Sequence, residues 1–179
     1  RSSAGTLSVV GGAALSDAGT VTVGASGTLA VTDSETINGL SGSGAVTLAA
    51  AQTLTVGAGN ASTSFSGVVS GTGALAKAGT GTLTLSGSNT YSGGTAVAAG
   101  TLAVDNNALG SGALTLGDPT HNGTLQVTGS LTVAQAVTLT AGGGTVDSNG
   151  QTVTVSGVVG GTGALTKSGL GTLTLSGAN

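Results

Sequence analysis

Apolar and polar residues alternate in short bursts along the whole chain. Leu29 and Val31 flank Ala30, Val46 and Leu48 flank Thr47, Leu54 and Val56 flank Thr55, and Leu83 and Leu85 flank Thr84. The pattern recurs at Leu102/Val104, Leu114/Leu116, Leu125/Val127, Leu131/Val133, Val137/Leu139, Val153/Val155 and Leu173/Leu175. A period of two is the mark of a strand with one buried face. Thr and Val suit a pleated surface. No i, i+3, i+4 stripe is sustained anywhere, so the pattern predicts strands and essentially no helix.

The bursts belong to repeats. Ser66–Asn89 and Ser156–Asn179 match at 19 of 24 positions, at an offset of 90 residues. Gly-Thr-Leu begins at Gly5, Gly27, Gly81, Gly100, Gly123 and Gly171. Such internal similarity points to stacked units, not to one unique core. Gly supplies 36 of the 179 residues and falls between the strand pieces, where tight bends are needed. Phe65 and Tyr91 are the only aromatic rings. A sandwich of this size wants several large anchors; a narrow core of stacked Leu, Val, Ile and Ala does not.

These features predict an all-β parallel β-helix, a β-solenoid. At roughly 22 residues per coil the chain makes about eight coils, and the 90-residue offset is about four. The rival is an antiparallel meander or β-roll, weakened by the irregular placing of Asn38-Gly39, Asn122-Gly123 and Asn149-Gly150. Residues 1–179 are expected to form one continuous β-helix fragment of a larger protein, in which the segments 66–89 and 156–179 are related. Phe65 aligns with Val155 and is expected in the core. Lys77 and Lys167 align with each other and share the parity of Leu75 and Leu165. Burying an unpaired ammonium costs several kcal/mol, so the strands are expected to end after these leucines, with both lysines in solvent.

The run Gly71–Leu102 resembles the passenger-associated repeat of bacterial autotransporters. The elements that carry the resemblance are Leu75-Ala76-Lys77-Ala78-Gly79, Gly81–Gly87, Asn89-Thr90-Tyr91 and Ser92–Thr95. The second copy, Gly161–Asn179, stops before its Tyr-Ser-Gly-Gly-Thr part. The resemblance implies a right-handed parallel β-helix in the secreted stalk of a surface protein, at the bacterial cell surface or outside the cell. It assigns no particular activity. Further coils or a C-terminal membrane barrel are expected outside the fragment, since Asn179 does not read as a cap.

Charge and candidate chemistry narrow the function. Charged residues make up 5% of the chain, and three basic residues cannot follow a phosphate track or bind an anionic lipid surface. No run of about 18 apolar residues could span a membrane as a helix. Cysteine is absent. His121 with Asp118 reads as part of the turn-rich loop Gly117–Gly123, not as part of a Ser-His-Asp triad. Asp33 and Glu35 share strand parity and form the best enzymatic candidate, a carboxylate pair, but read better as a solvated strand end before Ile37. Gly142–Asp147 carries a single, out-of-spacing likeness to the calcium-roll nonapeptide and reads as a glycine-rich turn. The expectation is therefore a non-enzyme with no catalytic, cofactor or metal residues: a stalk that projects or contributes to adhesion. The alternative is a self-associating or glycan- or matrix-binding β-solenoid adhesin or filament subunit. An enzyme acting on polysaccharide comes third.

Overall fold

The computed structural model describes residues 1–105 and 108–178. The reading of Asn179 as uncapped lies outside them. Among the described residues all regular structure is strand, and every strand pair is parallel. The chain winds repeatedly through three faces in a fixed order.

Face 1 begins with the first part of Thr20–Val31. It continues through Gly39–Gly42, Thr63–Phe65, Thr82–Leu85, Gly100–Val104, Gly123–Val127, Gly144–Asp147 and Leu165–Ser168. The long strand Thr20–Val31 bends around a corner, so its second half starts face 2, against Ser2–Val9 and Ala45–Leu48. Val68–Gly71 follows there, and Leu131–Val133, Thr152–Val155 and Thr172–Leu175 form that side later in the chain. Face 3 stacks Glu35–Ile37, Thr53–Val56, Ala74–Lys77, Thr95–Val97, Leu114–Leu116, Val137–Leu139 and Val159–Gly161. The result is a β-solenoid of about eight turns, roughly 38 Å tall at the ordinary strand spacing of about 4.8 Å.

Alternation puts one row of each face inside. On face 1, Phe65, Leu85, Val104 and Val127 stand in one column. Phe65 is fully buried, as its alignment with Val155 predicts, and faces Gly42 across the strand pair. A Cβ at Gly67 would lie 2.7 Å from the Phe65 ring, so that glycine makes room for the large side chain. Apart from Phe65, Tyr91 and a few inward polar side chains, the core is the narrow aliphatic column that the pattern implies.

Coil length varies at the corners. The coil that carries Thr28 to its partner Ala45 is shorter than the next, which carries Ala45 to its partner Val68. This changes the meaning of the repeat offset. In the first copy Val68–Gly71, Ala74–Lys77 and Thr82–Leu85 lie on faces 2, 3 and 1; in the second, Val159–Gly161, Leu165–Ser168 and Thr172–Leu175 lie on faces 3, 1 and 2. The offset is four coils and one further face, not a whole number of coils. Unequal coils do not divide the offset evenly, so the two copies fall out of phase with the winding.

Candidate functional site

The repeat element Asn89–Thr95 sits where face 2 loses its strands. Between Val68–Gly71 and Leu131–Val133, two passes of the chain cross this side without forming strand among the described residues. The backbone still holds the layer below, with Thr90 N donating to the Val69 carbonyl at 2.9 Å and Ser92 N to the Gly71 carbonyl at 3.0 Å. Asn89 substitutes for part of the missing ladder. Its Oδ1 accepts from Val69 N at 2.8 Å, and its Nδ2 donates to the Ala108 carbonyl at 2.8 Å. One buried side chain thereby ties three successive coils together.

Tyr91 fills the interior of the same pass and is fully buried. Its hydroxyl lies 2.6 Å from Thr95 Oγ1, and Thr95 Oγ1 donates to the Leu109 carbonyl at 3.0 Å. Since the threonine proton goes to Leu109, the tyrosine donates. Burial pushes the Tyr91 phenol up to about 12. Outside this polar chain lies a shallow cleft of about 280 Å³, bordered by Ser88, Thr90, Gly110, Thr132 and Gln135. Gln135 Nε2 is already committed to the Gly110 carbonyl at 2.7 Å. Hydroxyls, amides and the side chains of Leu109 and Leu131 line the cleft, with no charge among them.

The lysines correct the sequence expectation. Neither strand ends at its leucine: Lys77 closes the strand Ala74–Lys77, and Lys167 lies within Leu165–Ser168. Lys77 points inward, 1% exposed, in a column between Val56 and Val97. The ammonium is not unpaired, which removes the objection to burying it. Three corner carbonyls, of Ala78, Gly79 and Ala99, receive it, the Gly79 oxygen at 2.9 Å. Gly57 clears the space, since a Cβ there would come 3.1 Å from Nζ. Desolvation lowers the Lys77 amine to about 8. Lys167 makes the same local turn, donating to Ser168 at 2.9 Å and Gly169 at 2.7 Å, but stays exposed as expected.

The acids are brought to backbone amides. Glu35 is not at a solvated strand end; it is 2% exposed in the inward column beside Leu54. Its Oε2 accepts from Ala14 N at 2.9 Å, while Asp33 Oδ2 accepts from Gly11 N at 2.8 Å. The two carboxylates pin separate points of the loop that follows Ser2–Val9. Asp118 closes a turn in the manner its sequence implies. Its Oδ1 accepts from Thr120 N and His121 N, both at 2.7 Å, and its Oδ2 lies 2.7 Å from His121 Nδ1. The Thr120 amide first, then the His121 ring, hold its carboxyl well below the usual range. Gly144–Asp147 is strand, with Asp147 Oδ2 accepting from Gln126 Nε2 at 2.8 Å. The described residues hold no group of three or more His, Cys, Asp or Glu side chains placed to share a metal ion.

Sequence reasoning missed the bridging of Asn89, the inward Glu35 and the inward Lys77. Parity with Ile37 and with Leu75 signalled the last two, but Glu35 reads in sequence as a solvated strand end, and for Lys77 the cost of burying an ammonium overrode parity. For Asn89 the motif was visible, but its partners in the coils on either side were not.

The family model of the passenger-associated-transport-repeat matches residues 75–104 and 165–179, together about a quarter of the chain. The first match spans the inward lysine, the Asn89 bridge and the Tyr91–Thr95 pair. No curated protein and no solved structure matches the chain. The chain thus carries passenger-associated-transport repeats at residues 75–104 and 165–179, and these, joined to the stacked parallel coils, support an autotransporter passenger domain.

Proposed function

We propose that the chain is a structural stalk at the bacterial cell surface or in the extracellular space, which projects an adhesive part of its protein or contributes to adhesion, and that it is not an enzyme. The observation that carries this reading is the unbroken register of face 3, where seven strands stack without interruption from Glu35–Ile37 to Val159–Gly161. Each coil rests on its neighbours, which gives a rod whose length scales with coil number. The commitment of Asp33, Glu35, Asp118 and Asp147 to hydrogen bonds within the fold supports the non-enzymatic reading.

Deleting residues 66–155 tests it. The junction joins Phe65 to Ser156 as Val155 is joined now, so the second copy continues the coil one face earlier. A stalk shortens, and an adhesive partner domain keeps its binding. Lost binding by a folded, exported variant would sink the spacer reading.

One observation favours a second reading, a surface that binds sister molecules or glycan. Thr82, Thr101, Thr124, Thr145 and Thr166 form one outward column on face 1. Replacing Thr101, Thr124 and Thr145 by Glu should then abolish cell aggregation or glycan binding while the fold persists; under the stalk reading neither changes.

A further inference from the structure

We propose that Asn60 and Asn122 are acceptor sites for N-linked glycosylation, taking a sugar from a diphosphate-activated donor. Asn60-Ala61-Ser62 and Asn122-Gly123-Thr124 each place a hydroxyl two residues after the asparagine, the acceptor pattern for this modification. In a chain so rich in Ser and Thr such triplets arise by composition alone, so the surroundings of each asparagine decide the matter.

Five asparagines lie among the described residues. Asn38 Nδ2 donates to the Ala18 carbonyl, Asn89 Nδ2 to Ala108 and Asn149 Nδ2 to Val127. Among the described residues, Asn60 and Asn122 are the two whose Nδ2 has no protein acceptor, and both are exposed. They are also the two followed by the hydroxyl pattern. Their fold contacts run through the other atom. Asn60 Oδ1 accepts from Thr80 N at 2.8 Å, and Asn122 Oδ1 accepts from Thr145 Oγ1 at 2.9 Å. A substituent on Nδ2 leaves both bonds intact.

Topology places the pair on one edge. Asn60 lies between the face 3 strand Thr53–Val56 and the face 1 strand Thr63–Phe65; Asn122 lies between Leu114–Leu116 and Gly123–Val127. Three coils separate them, roughly 14 Å at the strand spacing, so two sugars stand side by side along the edge without overlap. In the transfer, Nδ2 loses one proton and bonds to the sugar C1. The C1–O bond to the diphosphate breaks, and its electron pair leaves with the diphosphate. On a surface with so little charge, bound sugars add hydration along that edge. The inference stands apart from the stalk reading, because it rests on the two amides alone.

Peptide mass mapping of the protein taken from the surface of cells that naturally make it tests the assignment. Asn60 and Asn122 peptides should carry a sugar mass, which Asn60→Gln, Asn122→Gln, Ser62→Ala and Thr124→Val remove at their own site. Asn149 is equally exposed but followed by Gly150-Gln151, so its peptide should stay unmodified. Unmodified Asn60 and Asn122 in the wild-type protein would overturn the proposal. So would a sugar on Asn149, or a sugar that persists after loss of the hydroxyl.

Discussion

Leu75 and Leu165 occupy the same place in the repeat and different faces of the solenoid. Leu75 pairs with Leu54 and Thr95 on face 3, whereas Leu165 pairs with Gly144 on face 1. The five differences between the copies are Ser70/Gly160, Ala76/Thr166, Ala78/Ser168, Thr80/Leu170 and Ser88/Ala178. None of these positions is buried in either copy, so the inward residues are the same on all faces. Which face a segment takes is set by the coil already laid down. Reciprocal exchange of residues 66–88 and 156–178 should therefore keep the fold and change stability by no more than about 1 kcal/mol, read from denaturant unfolding by circular dichroism. A larger loss means that the faces are not interchangeable.

Side-chain parity is tested at Leu83 and Thr84. Leu83 is buried between Thr63 and Leu102, and Thr84 lies outward between Ser64 and Ala103. Leu83→Asp places a carboxylate in the aliphatic column and should cost about 4 kcal/mol or more. Thr84→Asp should stay within about 0.5 kcal/mol. Equal unfolding midpoints would refute the assignment.

The strands with two aliphatic residues flanking one polar residue were legible, because alternation is a local signal. Every pair from Leu29/Val31 to Leu173/Leu175 lies in a strand. Thr95–Val97 and Ala74–Lys77 were harder to see, since a polar residue stands in each inward column. Those insertions become intelligible only when the neighbouring coil is present: the Leu109 carbonyl for Thr95, the Ala99 carbonyl for Lys77. Turn chemistry was legible at Asp118–His121 because all its partners are close in sequence. The Asn89 bridge and the face of each segment depend on stacking and were not.

Buried Lys77 makes stability depend on alkaline pH. The ordinary lysine value is 10.5 and desolvation lowers the folded value to about 8. Between these values the unfolded chain binds more protons, so stability rises as pH increases from about 8 to 10.5. The gain is at most about 3 kcal/mol, reduced by solvent screening at the corner. Denaturant melts across this window should show the rise in the wild type and lose it in Lys77→Met. At pH 7 that variant leaves corner carbonyls unpartnered and should be less stable by about 1–3 kcal/mol. A wild-type curve parallel to that of Lys77→Met rules the burial out.

The Tyr91–Thr95 pair should behave as one unit. Tyr91→Phe removes a donor and leaves the threonine bonded to Leu109, at a cost of about 1 kcal/mol. Thr95→Val strands both the Tyr91 hydroxyl and the Leu109 carbonyl and should cost about 2–3 kcal/mol. With both changes made, the stranded hydroxyl is gone, so the double variant should be more stable than the sum of the single losses predicts. Strict additivity in thermal or denaturant melts contradicts the hydrogen-bond chain.

Asn89 carries the most demanding test, because one side chain serves two coils. Asn89→Leu keeps bulk but leaves Val69 N and the Ala108 carbonyl buried without partners, at about 1–3 kcal/mol for each stranded group. Asn89→Asp retains the acceptor for Val69 N and turns the donor to Ala108 into a carboxylate oxygen that faces a carbonyl. At neutral pH it should be as damaging as the leucine, and it should recover when acid protonates the new group and restores a donor. Hydrogen exchange separates the two halves of the bridge: Val69 N should exchange rapidly in Asn89→Leu and remain protected in protonated Asn89→Asp. If the Val69 amide is equally protected in both variants, its partner is not Asn89, and the join across the strandless part of face 2 must lie elsewhere.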